Sequence, residues 1–253
     1  MGDFLFPTES TTLASKRECT FAQIKPAYRA DKRNNGDYFV TMTNKTDPAE
    51  TPSTGLAAAR ESAGLEALIS RAVGQERGLP PVERWNPEHC GDLDMEIRRD
   101  GTWFYMGTPI GRPALVRLFS TVLRKDEDGE TYLVTPVEKV RIRIEDAPFV
   151  AVEAVASGDG EDQVVTFRTN VGDLVEAGPE HPMRFVDEDG TGGLKPYVHV
   201  RGRLEALVSR AVMYDLVAMG EPVDVDGTEM FALRSNGKVF PMMTMARLEA
   251  LSQ

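Results

Sequence analysis

The sequence predicts an α+β protein of two tandem, related modules that follow an N-terminal leader. Three observations lead to this prediction: the composition is globular, strand and helix patterns alternate beyond residue 60, and the order of those patterns occurs twice. The 253 residues are 41% hydrophobic and 27% charged, which is near the globular average. At about 150 residues per domain, this length corresponds to one or two domains.

The first 60 residues differ in composition from the rest of the chain. They carry 8 Lys and Arg against 7 Asp and Glu, a net charge of +1, whereas the remaining residues carry 21 against 33, or −12. They contain too few apolar residues to offset the entropy lost on ordering. We therefore expect a flexible leader over 1–60, a first module over 61–146 and a second module over 147–253.

Periodicity and turn residues predict the elements of the first module. Apolar residues at helical spacing predict two helices, 63–73 and 113–124, and Pro113 is typical of a first helical position. The Asp100–Gly101 pair is typical of a tight turn between two strands. Alternating apolar and polar residues predict the strand 93–99, and an aromatic run after the turn predicts its return strand, 102–106. Two strands, 131–135 and 137–145, follow a second turn.

The same order of patterns recurs in the second module. Helical spacing predicts one long helix over 203–219. The predicted strands are 149–155, 163–169, 184–186, 197–200, 230–234 and 239–242. We interpret the two halves as a duplicated ββαββ unit, the alternative being an echo of the kind that any α+β chain can produce. A nonapeptide that occurs twice, Leu65–Val73 and Leu204–Val212, is interpreted as shared amphipathic helix composition.

Sequence motifs of the common catalytic and nucleotide-binding sites are absent. The chain has no P-loop, no dinucleotide-binding glycine pattern, no zinc-protease motif and no nucleophile elbow. Three histidines and two cysteines do not readily form a zinc site. We predict no catalytic residue, no metal and no cofactor, and keep as an alternative an enzyme that uses Asp92, Glu138 or His181 as acid or base.

One predicted strand carries a basic face. Lys139, Arg141 and Arg143 alternate with aliphatic residues, and the period of two in a strand puts the three cations on one side. Such a row can bind a phosphate or carboxylate. The alternative is a solvated face that nearby acids neutralise. Those acids are Glu138, Glu145 and Asp146.

Polar residues also cluster in the irregular segment between the predicted strands of the second module. Arg168, Asn170 and His181 lie there, and polar loop residues between modules suit ligand recognition. The alternatives are that Asn170 caps a turn and that His181 is an ordinary surface residue. We include all three in the predicted ligand site with Lys139, Arg141 and Arg143.

Several strings resemble one bacterial family of uncharacterised proteins, domain of unknown function 1285. The strings are LPPVERW, GTWFY, GTPIGRPALVRLFSTV, YLVTPVEK and EDAPF between residues 79 and 149, then FRTNVGD and GPEHP. His89 departs from the apolar or aromatic residue that the family pattern has there. The resemblance implies a duplicated two-domain core, a second domain superficially like the pleckstrin-homology fold, and an interdomain site for a nucleotide-like ligand with a link to signalling. It implies no reaction.

These observations together predict a non-catalytic cytoplasmic binding or signalling protein. We expect a small anionic ligand, with nucleotide-like molecules among the candidates, between the two modules. Protein partners in a scaffold are the alternative, beside an enzyme of unknown reaction. The net charge of −11 disfavours broad binding to nucleic acid polymers or anionic membranes, and no long apolar run predicts a membrane span. The lack of a signal peptide and of paired cysteine spacing favours the cytoplasm.

Overall fold

The computed structural model describes residues 78–188 and 193–251. The predicted leader and the predicted helix over 63–73 lie outside these residues. The first described unit is a six-stranded sheet. Its strands are β1 (His89–Ile97), β2 (Trp103–Tyr105), β3 (Thr108–Pro109), β4 (Leu123–Lys125), β5 (Thr131–Val134) and β6 (Lys139–Ile144). A 3-10 turn, Val82–Arg84, precedes β1, and helix α1 (Pro113–Thr121) connects β3 to β4.

The second described unit begins with another six-stranded sheet. Its strands are β7 (Phe149–Ser157), β8 (Val164–Thr169), β9 (Leu174–Glu176), β10 (Met183–Asp187), β11 (Leu194–Arg201) and β12 (Leu204–Val208). Helix α2 (Arg210–Met219) follows β12. A three-stranded sheet and helix α3 (Met245–Leu251) come last. The strands of this smaller sheet are β13 (Glu221–Val225), β14 (Thr228–Ser235) and β15 (Lys238–Thr244).

Both six-stranded sheets have the same strand order. Counted within each unit, the order is third, second, first, sixth, fifth and fourth. The first and sixth strands are parallel neighbours at the centre, and all other neighbouring pairs are antiparallel. The α+β class and the tandem repeat are thereby confirmed. The repeated unit has six strands in the order observed, rather than the four strands of the predicted ββαββ unit.

The predicted helix over 203–219 is wrong in its first third. Leu204, Ala206 and Val208 are buried and form β12, which pairs with β11 on one side and with β7 on the other. The helix begins only after Ser209, whose side chain accepts a hydrogen bond from the Val212 amide, as an N-cap does. The nonapeptide at 204–212 is therefore a strand, a cap and the start of a helix. Its copy at 65–73 lies outside the described residues.

The predicted helix over 113–124 is correct at its start but ends at Thr121. Leu115 and Phe119 are its buried positions, and Phe119 stacks on the buried Trp103 with ring centroids 6.1 Å apart. The chain then turns into β4, where Leu123 pairs with β5. Pairing in the sheet therefore overrides the helical pattern over the last three predicted residues.

As regards membranes, none of the helices within 78–188 and 193–251 has the length and apolar character that a span requires.

Polar side chains join the two units. The guanidinium of Arg201, in β11, donates to the carbonyl of Ser120 at the end of α1 (2.8 Å) and to the carboxylate of Asp173. Asn170 accepts a hydrogen bond from the Val150 amide (3.1 Å) and donates to the carbonyl of Gly101 (3.3 Å). These contacts fix the β1–β2 turn and α1 of the first module against the second module.

We expect Arg201→Ala to destabilise the protein by about 2–4 kcal/mol, because it removes charged hydrogen bonds at a largely buried joint. The side chains of Arg201 and Asp173 are only 20% and 26% exposed. Urea unfolding at pH 7 measures the change.

Arg203→Ala is the matched control for that variant. Arg203 also reaches across the modules, to Glu127, but the two side chains are 53% and 87% exposed. An exposed pair of this kind contributes about 0–1 kcal/mol. Equal losses of stability in the two variants would contradict the importance of the buried joint.

Candidate ligand site between the modules

The basic face predicted on the sixth strand is present. Lys139, Arg141 and Arg143 share one side of β6, and the alternating Val140 and Ile142 are buried on the other side. A groove of about 530 Å³ lies over this face, at β1, β6 and the turn before β5. We call it the first-module groove.

The cations of this groove are already paired with acids of β1. Arg141 donates from Nε and Nη2 to the two carboxylate oxygens of Asp92, at 2.9 and 2.5 Å. Arg143 donates to Asp94 at 3.0 Å. The parallel register of β1 and β6 places Asp92 opposite Arg141. The Arg141 hydrogen bond lowers the pKa of Asp92, so the pair stays charged at neutral pH.

Lys139 is held at the other end of the face. Its ammonium is 2.8 Å from the carboxylate of Asp126 and lies 4.4 Å from the centre of the Tyr132 ring. Asp126 also accepts a hydrogen bond from Arg124 at 2.6 Å. Burial alone would raise the pKa of Asp126, but the hydrogen bonds from Arg124 and Lys139 outweigh it and lower that pKa. A hydrogen bond to Asp128 raises the pKa of Tyr132 to about 12.

The acids seen to pair with the basic face are Asp92, Asp94 and Asp126. Glu138, one of the acids expected from sequence proximity, is buried immediately before β6. Glu145 accepts a hydrogen bond from the Arg99 amide, and Asp146 is bound by residues of the second module. The observed partners come from β1, which is parallel to β6, and from the turn that precedes β5, which is antiparallel to β6.

The other three predicted site residues have separate surroundings. Arg168 pairs with Glu153 at 2.6 Å on the surface of the β7–β8 hairpin. Asn170 belongs to the joint between the modules. The Nδ1 atom of His181 is 3.1 Å from the carbonyl oxygen of His199, and the two rings stack with centroids 5.6 Å apart. None of these three is among the described residues that line the first-module groove.

The three candidate acids and bases are also dispersed. Asp92 lines the first-module groove, whereas His181 lies at a different depression in the second module, beside Leu174 and Asn236. Glu138 lines neither of these cavities. Within the part of the chain that the structure describes, no group of His, Cys, Asp or Glu has the arrangement of a metal site.

A larger cavity of about 980 Å³ lies at the boundary of the modules. We call it the intermodule cleft. The turn between β1 and β2 contributes Arg99 and Asp100, and the second module contributes the other walls from β7, β11, β12 and α2. The apolar residues of the cleft are Val150, Val152, Leu194, Pro196, Leu207, Val208, Met213 and Tyr214.

Three cations reach the intermodule cleft from three different elements. Arg99 comes from the β1–β2 turn, Lys195 from β11 and Arg210 from the first turn of α2. Asp100 and Glu188 are its acids. Because these residues are far apart in sequence and share no pattern, sequence reasoning did not find them.

Asp146 organises the cations on one side of the cleft. It lies in the short connection between β6 and β7, and its side chain is 8% exposed. It accepts hydrogen bonds from Lys195 (3.1 Å) and from the hydroxyl of Tyr197 (2.6 Å), and Nε of Arg99 is 3.3 Å away. Burial, together with the hydrogen bond to Asp146, raises the pKa of Tyr197. The connection between modules thus holds Arg99 and Lys195 beside the cleft.

These features define a protein of two duplicated, β-rich modules with a cleft at their boundary. Two family models match the chain, described as "Domain of unknown function (DUF1285), N-terminal domain" over residues 80–147 and "Protein of unknown function (DUF1285), C-terminal domain" over residues 148–242. The chain belongs to the DUF1285 family, as the sequence resemblance predicted.

Two solved structures of DUF1285 family proteins are similar to this chain. One, from Silicibacter pomeroyi, has 50% sequence identity and a TM-score of 0.66, with 73% of this chain and 97% of that chain covered. The other, from Shewanella baltica, has 27% identity and a TM-score of 0.40, with 50% and 91% covered. Both sources are bacteria. No curated protein matches the chain.

The paired state of Lys139 is tested by Asp126→Asn. The lowered pKa of Asp126 means that its charge stabilises the fold above the ordinary value of 3.8, and that this stabilisation is lost as the pH falls through the lower folded value. We expect the variant to be about 1–3 kcal/mol less stable at pH 7 and close to wild type near pH 2. Urea unfolding between pH 7 and pH 2 measures both.

The control is Asp94→Asn, whose ion pair with Arg143 has side chains 59% and 66% exposed. It is expected to stay near wild type across the same pH range. A constant difference between Asp126→Asn and wild type, independent of pH, would argue against a stabilising charge at Asp126.

Proposed function

We propose that this protein is a non-catalytic binding or signalling protein whose intermodule cleft binds a small anionic ligand. Nucleotide-like molecules are among the candidates. The observation that carries the proposal is the convergence of Arg99, Lys195 and Arg210 on one cavity with walls from both modules. A ligand there would contact both modules at once, which is a simple way for binding to be sensed by the whole protein.

The first turn of α2 supports an anion in the cleft. Ser209 and Arg210 both line the cavity, so the N-terminus of a ten-residue helix lies at its wall. The partial positive charge of a helix N-terminus favours anions, and the side chain of Arg210 adds a full charge in the same place. Lys195 contributes a second cation from β11, where its side chain is partly buried and paired with Asp146.

The basic face of β6 is the second basic candidate. In the cleft, Asp146 already holds Arg99 and Lys195, whereas Arg210 has no ion pair with a described residue. On β6, a ligand that binds Arg141 or Arg143 must displace Asp92 or Asp94 from an existing ion pair. Breaking a bidentate pair cancels much of what a new anion would contribute. The ligand-site assignment from sequence, Lys139, Arg141 and Arg143 with Arg168, Asn170 and His181, stays a prediction that competes with the cleft.

A protein–protein scaffold is the second candidate function. Tyr214 and Val217, three residues apart on α2, are 67% and 43% exposed, and Val155 of β7 is 56% exposed. Exposed apolar groups on neighbouring elements suit a protein partner. The scaffold hypothesis differs from the first in predicting no ligand-dependent stabilisation.

Two finer parts of the sequence prediction belong with this proposal. A comparison of the second module with the pleckstrin-homology fold is supported by its second, three-stranded sheet and by its C-terminal helix α3. The cytoplasmic location expected from the sequence is retained as part of the proposal. Neither enters the experiment below.

The proposal is tested by a thermal-shift panel of nucleotides, second messengers and inorganic phosphate. A ligand at one hundred times its Kd stabilises the folded state by about 2.7 kcal/mol, which raises Tm by several degrees. We expect Lys195→Ala/Arg210→Ala to lose this response. The triple variant Lys139→Ala/Arg141→Ala/Arg143→Ala is the control, and we expect it to keep the response.

If the triple variant loses the response and the double variant keeps it, the anion binds at the basic face of β6. If no member of the panel shifts Tm, or if both variants respond like the wild type, anion binding in the cleft is refuted. Because Lys195 is hydrogen-bonded to the buried Asp146, the folded state of the double variant is verified by its own unfolding curve.

A further inference from the structure

We propose that the intermodule cleft takes an amphipathic anion, which is a molecule with an apolar body and one terminal phosphate or carboxylate group. The proposal rests on the function proposed above and narrows its ligand class. Its basis is that the duplicated fold provides the same groove twice, with different chemistry in each copy.

The two cavities occupy equivalent places in the repeat. The first-module groove is lined by the first strand, the sixth strand and the turn that leads into the fifth strand of its sheet. The intermodule cleft is lined by the first strand, the sixth strand and the segment Gly193–Pro196 at the start of the fifth strand of the other sheet. Each cavity therefore lies over the central parallel pair.

The side chains at these equivalent places are charged in one copy and aliphatic in the other. In the first module, Asp92 is paired in register with Arg141, and their side chains form an ion pair across the floor. In the second module, Val150 is paired in register with Leu207, and both line the cleft. Val152, the next residue of β7 to line the cleft, is also aliphatic.

An aliphatic floor selects ligands by their apolar surface. Contact with Val152 and Leu207 is favourable only for a ligand that removes its own apolar surface from water at the same time. A bare phosphate or a sugar phosphate would instead be desolvated against groups that cannot hydrogen-bond to it. Ligand pockets of this kind combine apolar walls with a few polar groups that fix orientation.

The second module also has a wall that the first lacks. Helix α2 follows the sixth strand directly and contributes Met213 and Tyr214 to the cleft. The flexible thioether of Met213 and the ring of Tyr214 adapt to an alkyl or aromatic body. The cations Lys195 and Arg210 then bind the single charged end of the ligand. The volume of about 980 Å³ exceeds what an inorganic anion requires.

The experiment compares ligands that differ in one property at a time. Calorimetric titration of the full chain uses inorganic phosphate, then butyl, hexyl and octyl phosphate, then octanol, all below their aggregation concentrations. We expect each added methylene to tighten binding by about two- to fourfold. We expect octyl phosphate to bind at least tenfold tighter than either octanol or inorganic phosphate.

Matched variants locate the binding. Val152→Asp places a charge on the floor, at a side chain that is 40% exposed and so tolerates it, and should weaken octyl phosphate at least tenfold. Val155→Asp is the control, since Val155 lies on the same strand with 56% exposure but is not among the residues that line the cleft. Lys195→Ala/Arg210→Ala should remove the preference of octyl phosphate over octanol.

Each result distinguishes this inference from the proposed function. Nucleotides or inorganic phosphate could bind through Lys195 and Arg210 while alkyl chain length has no effect on affinity. That result would overturn the amphipathic ligand class and leave the proposed anion site in place. If none of the anions binds, both fail. Equal effects of Val152→Asp and Val155→Asp place binding elsewhere and overturn the inference. Vesicles that contain phosphatidic acid, competed by octyl phosphate, distinguish a lipid source from a free one.

Discussion

The position of one module against the other depends on a few polar groups that find their partners across the boundary. Asn170 bridges a backbone amide of its own module and a carbonyl of the other, and Arg201 does the same with a carboxylate and a carbonyl. Asp146 adds a buried carboxylate in the connection itself. Hydrogen bonds have narrow geometry, so they specify one arrangement more sharply than apolar contact does. Because these hydrogen bonds set the position of the β1–β2 turn against the second module, they also set the shape of the intermodule cleft.

The two six-stranded sheets have a cavity at equivalent positions, and the side chains that line the two cavities differ. In the first module, Asp92 and Arg141 form an ion pair across the floor of the groove, so each charge already has a partner. In the second, aliphatic side chains of β7 and β12 and the side chains of α2 line the cleft. Identical topology therefore supports different chemistry, as expected when function lies in the site and not in the fold.

Local patterns sufficed for much of the fold. Alternation located the second half of β1, an aromatic run located β2, and Asp100–Gly101 located their turn. The same reasoning failed over Leu204–Val208, because that stretch fits both a strand and a helix period, and only its position between β7 and β11 decides. Likewise, the basic face of β6 was readable, but its partner Asp92 is 49 residues from Arg141. The three cations of the cleft come from three distant elements and left no local signal.

The parallel pairing of first and sixth strands has a consequence for the order of events during synthesis. In each module the first strand emerges from the ribosome about 50 residues before the sixth strand. The first strand therefore cannot pair with its parallel neighbour until those residues have been synthesised. The β1–β2 and β7–β8 hairpins can form at once, since their contacts are local. All six strands of the first sheet precede β7 in the chain, so the first sheet has its full set of strands before the second sheet is complete.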